Sequence, residues 1–116
     1  MARYTCSFTL AATNNTNLRQ AIKEVIQNCD LELIYDQREY IMARESPGQV
    51  SLSKLVAVEV LIDTTKSTPS KMWMSLVVKN EELPLQLDNH CYQAFERLNR
   101  AIADNQKWQL VESLAS

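Results

Sequence analysis

Two stretches of this 116-residue chain repeat their apolar residues at helical spacing along one side only. In the first, Leu18, Ala21, Ile22, Val25, Ile26 and Cys29 fall at i, i+3, i+4, i+7, i+8 and i+11, with Arg19, Lys23, Glu24 and Gln27 on the other side. In the second, Cys91, Ala94, Phe95, Leu98, Ala101 and Ile102 repeat the pattern against Glu96, Arg97, Asn99, Arg100 and Asp104. Each stripe holds several large apolar groups. Burying one is worth about 1.5–3 kcal/mol, so neither stripe can be left in water. A helix with a single apolar stripe needs a single surface to cover it, and the rest of the chain must supply that surface. Asn17 followed by Gln20 approximates a capping box for the first helix, and Asn28 and Asp30 are its stop residues. Asp88 is the expected N-cap of the second helix, with Asn89 as the alternative.

The covering surface reads as a β-sheet. Residues 3–10 alternate: Tyr4, Cys6, Phe8 and Leu10 point one way, Arg3, Thr5, Ser7 and Thr9 the other. Leu31 to Tyr35 and Tyr40 to Glu45 form a hairpin around Asp36-Gln37-Arg38-Glu39. Val56, Val58, Val60 and Ile62 share one face of a β-branched strand, opposite Ala57, Glu59, Leu61 and Asp63. After a loop at Lys66–Ser70, Met72, Met74, Leu76 and Val78 share a face, opposite Trp73, Ser75, Val77 and Lys79. These last two strands are expected to pair antiparallel. Lys107 to Val111 adds a possible short terminal strand. The order is β-α-β-β-β-β-α with that terminal β, and it lacks regular βα alternation. The expected fold is a single α+β domain spanning residues 1–116. It has an antiparallel sheet of four to five strands, with both helices packed on one face. This order of elements resembles the helix-grip and TATA-binding-protein-like topologies, and more loosely the secretion-chaperone-like α+β domains. The resemblance implies a fold and brings no residue role with it.

Composition narrows the chemistry. Hydrophobic residues make up 46% and charged residues 22%, as in globular proteins. The net charge of -2 does not suit phosphate neutralisation, so no nucleic-acid partner is expected. Arg97 and Arg100 make only a small positive patch, flanked by Glu96 and Asp104. Three cysteines, at 6, 29 and 91, cannot pair fully, which favours a reducing compartment. No apolar run follows Arg3 as in a leader, and the longest one, Leu55 to Ile62, is broken by Glu59. A cytoplasmic protein with no membrane partner is expected.

Reactive constellations are sparse. Gly48 is the only glycine, so neither a phosphate loop nor a dinucleotide fingerprint can be written. One histidine and three widely spaced cysteines give no metal-ligand pattern, and no metal or cofactor is expected. His90 and Cys91 adjoin in the first turn of the second helix. There they point about 100° apart, which does not make a nucleophile–base pair. Cys91 is expected to open the buried stripe and His90 to lie at the surface. Glu81 and Glu82 are expected to be solvated in a loop. Glu59 is read as an outer-face residue opposite Lys79 or Arg44, in preference to a pocket carboxylate. The chain is therefore not expected to be an enzyme.

The strongest functional lead is the sheet face away from the helices. Leu55, Leu61, Trp73 and Val77 are expected to project from it among Glu59, Ser75 and Lys79. An apolar centre with a polar rim is the composition of an interface. The expected function is a non-catalytic protein-interaction module, self-associating as a homodimer through this face or contacting a protein partner. The competing reading has the 46–54 loop or the C-terminal tail covering Trp73. The alternative function is binding of a small apolar molecule between the second helix and the sheet, lined by Met72, Met74 and Phe95.

Overall fold

A computed structural model describes residues 1–13, 17–48, 50–83 and 89–115. The elements in chain order are β1 (Ala2–Ala12), α1 (Leu18–Asn28), β2 (Leu31–Asp36), β3 (Tyr40–Glu45), a 3-10 turn (Leu52–Lys54), β4 (Ala57–Ile62), β5 (Lys71–Asn80), α2 (His90–Ala103) and β6 (Trp108–Ala115). The strands form one open antiparallel sheet in the order β2-β3-β4-β5-β1-β6. It has six strands rather than four or five, because the terminal segment is a full strand paired with β1. That strand runs on to Ala115, past the Val111 expected from sequence.

The alternation in β1, β4 and β5 sorts the faces. Cys6, Phe8 and Leu10 lie opposite Leu76, Met74 and Met72, while Val58 and Val60 lie opposite Val78 and Leu76. These inner-face residues join the stripes of both helices in one core, so both helices cover the same side of the sheet. Tyr4 stacks on Phe95, with ring centroids 5.5 Å apart. The Cys91 thiol lies 3.4 Å from the Val78 carbonyl oxygen. The indole Nε1 of Trp108 donates to the Ile102 carbonyl at 2.8 Å, tying the start of β6 to the last turn of α2.

The caps follow side-chain chemistry. Asn17 accepts from the Gln20 N–H and starts α1. Asn89 accepts from the Tyr92 N–H and starts α2, while Asp88 lies outside the described residues. After α1, Asp30 takes a left-handed conformation with φ 62°, which Asp tolerates better than most residues.

The bulge that decides β6 lies where β1 passes from Thr9 to Leu10. Before it, Trp108 and Leu110 face the core. Beyond it the phase has slipped by one, so Glu112 pairs with Thr9 and Leu114 with Ser7, both on the outer face.

Candidate functional site

Register places the outer-face residues in rows across the strands. One row runs Tyr40, Leu61, Ser75, Ser7, Leu114 from β3 to β6. Its two central serines have hydroxyls 3.3 Å apart and form a low floor. Leu61 and Leu114 flank them, 44% and 58% exposed. The next row carries Trp73, Thr9 and Glu112. Trp73 is half-buried, with the Lys71 ammonium 4.9 Å from its ring centroid. Together Leu61, Trp73, Ser75, Ser7, Thr9 and Leu114 line a depression of about 330 Å³, which Asp63, Lys66 and Glu112 also line.

Of the four residues expected on this face, Leu61 and Trp73 meet in the depression. Val77 is on the face but only 3% exposed, between Thr5 and Glu59 in register and outside the common core. Leu55 is not on the sheet, because β4 begins at Ala57. Leu55 ends the 3-10 turn and is half-buried. Leu114 was not legible, since simple alternation from Trp108 would turn it inward and only the bulge turns it out.

Beside the depression, Glu59 is held from two sides. Lys79 Nζ lies 2.7 Å from Oε1, and the Tyr40 hydroxyl donates to Oε2 at 2.6 Å. The bond from Lys79, then that from Tyr40, holds its carboxyl below the usual range against the opposing effect of burial. The same contact with Glu59, followed by burial, pushes the Tyr40 phenol up to about 12. Glu59 is thus an ionised outer-face residue.

The helix side has a second concavity. A chamber of about 190 Å³ is lined by Leu31, Ala94 and Leu98 together with Cys29, Glu45, His90, Gln93 and Arg97. It shares Cys29, Leu31, Glu45, His90 and Arg97 with a wider depression of about 660 Å³. His90 Nε2 and Glu45 Oε1 are 2.7 Å apart, and the same oxygen accepts from the Val56 N–H at 2.9 Å. His90 is therefore half-buried and paired across to β3, where a surface position was expected.

Glu82 also departs from the sequence reading. It is 4% exposed, not solvated. Its carboxylate accepts from the N–H groups of His90 at 3.2 Å and Cys91 at 2.9 Å, and from the Asn80 amide at 2.6 Å. Burial pushes the carboxyl up, but these three bonds outweigh it and leave it below its usual value. Its charge sits against the positive end of α2. Cys91 is fully buried, and burial, then Glu82 and Glu45, push its thiol up to about 11. A thiol in that state is neither accessible nor ionised at neutral pH. Met72, Met74 and Phe95 are buried in the common core, and the chamber against α2 is lined by other residues.

Among the described residues no group of three or more His, Cys, Asp or Glu could hold a metal ion. No described helix is long and apolar enough to cross a membrane. The chain matches no protein-family model and no curated protein.

Proposed function

We propose that this protein is a non-catalytic interaction module that pairs with a second copy of itself through the open face of its sheet. The observation that carries the reading is the Leu61–Ser75–Ser7–Leu114 row with Trp73 beside it. A sheet face turned to water ordinarily carries Thr, Lys and Glu. Here two half-exposed leucines and an indole surround a low, small-residue floor at the centre, and charged groups stand around them. Trp is the residue type most enriched at binding hot spots, and a homodimer with twofold symmetry is the commonest assembly. The cytoplasm, as a reducing compartment, suits three unpaired cysteines. Helices on one side of an antiparallel sheet are also what supports the helix-grip resemblance.

Substituting Trp73→Lys tests the reading. The side chain is half-buried on the outer face, so the variant keeps its fold by circular dichroism while its sedimentation coefficient falls to that of a monomer. An unchanged association state would contradict the proposal.

A second reading is small-molecule binding against α2. It is favoured by the chamber behind Leu31, Ala94 and Leu98, in a different place from Met72, Met74 and Phe95.

A further inference from the structure

We propose that the cleft between α2 and the β2–β3 side of the sheet binds a small organic amine, its ammonium at the mouth beside Asp30, Glu32 and Glu45 and its apolar body in the chamber behind. This site belongs to the second reading above and is independent of self-association, which uses the opposite face of the sheet.

The cavity has two compartments. The chamber and the wider depression share five lining residues and so lie side by side. The chamber, about 190 Å³, has Leu31, Ala94 and Leu98 in its wall. Cys29, Glu45, His90, Gln93 and Arg97 line the rest of it, and its volume is above the roughly 150 Å³ that takes a benzene ring, so a small ring or short chain carrying a polar end fits. The depression is lined by Asp30, Glu32 and Glu45, with Arg97 beside Asp30 and the His90 ring 2.7 Å from Glu45, so Glu32 carries the carboxylate with neither of these partners.

A cation already sits at the mouth. Helix α1 ends here with no basic residue in its last turn to meet its negative pole. Arg97 of α2 meets it instead, 3.5 Å from the Cys29 carbonyl oxygen and 3.3 Å from Asp30 Oδ2. Both contacts are long, and the Arg97 side chain is 56% exposed. The chain's own cation is thus held loosely beside Asp30, and an incoming ammonium there competes with it. An acid would meet the three carboxylates.

Benzylamine is the probe, titrated into the isotopically labelled full chain by amide NMR, with phenylacetate as the matched anion. Benzylamine shifts the amides of Leu31, Ala94 and Leu98 saturably, and phenylacetate does not. The double variant Asp30→Asn/Glu32→Gln removes two exposed charges and weakens binding by about fivefold. Arg97→Gln removes the internal competitor and tightens binding by about threefold. Trp73→Lys leaves benzylamine affinity unchanged, which separates this site from the sheet face. Equal response to phenylacetate, loss of binding in Arg97→Gln, unchanged affinity in the double variant, or benzylamine shifts that are absent or do not saturate would each overturn the proposal.

Discussion

Glu82 shows how one side chain can fix an element. Its buried carboxylate accepts two backbone N–H groups of the first turn of α2 and one amide of Asn80. Replacing it with Gln keeps the shape, removes the charge and turns one acceptor into a donor. Glu82→Gln is expected to cost about 1–3 kcal/mol in urea unfolding. The pH dependence follows from the lowered carboxyls of Glu82 and Glu59. A folded value below the ordinary 4.5 contributes stability that is present above that value and lost as pH falls through the folded one. Stability is thus flat near neutrality and declines below about pH 4.5, with a shallower decline in Glu82→Gln. The cysteines give a second readout. Cys91 is closed and its thiol raised to about 11, Cys6 is buried, and Cys29 is partly open with a thiol raised mainly by burial. Iodoacetamide followed by mass spectrometry should label Cys29 first, and Cys6 and Cys91 only on unfolding. Neither the role of Glu82 nor the pairing of His90 was legible in the sequence. Both partners lie across tertiary contacts, and a local reading sees only two loop acids and a residue beside a cap.

At the scale of elements, the helices were the most legible. Their stripes are uninterrupted at helical spacing, and Asn17 caps α1 as its side chain allows. β1, β4 and β5 were legible for the same reason at a period of two. β6 was under-read because its inward positions change phase at the bulge, and Glu112 and Ser113 hide a strand that continues to Ala115. Its anchor is Trp108, whose indole bonds the Ile102 carbonyl. Trp108→Phe keeps a ring in the core but leaves that carbonyl without its donor. The expected loss is about 1–3 kcal/mol by thermal or urea unfolding, together with faster amide exchange in β6. An unaltered β6 would mean that the strand is held by its ladder with β1 alone.

For the whole molecule, the consequence of placing two amphipathic helices on one side is a sheet whose reverse carries no described helix. Its centre carries Leu61, Trp73 and Leu114 around two serines. Two of these three apolar residues were legible. Leu61 and Trp73 follow from alternation along single strands, whereas Leu114 joins them only through strand order and the bulge. Association through such a centre draws on apolar burial more than on charge, so it should weaken little between low and moderate salt. The most direct measurement is the molar mass of the wild-type chain by light scattering across a rising concentration series. The mass should climb from that of the 13.3 kDa chain to a plateau at twice that value. A mass that stays at one chain up to the highest concentration would contradict self-association through the sheet.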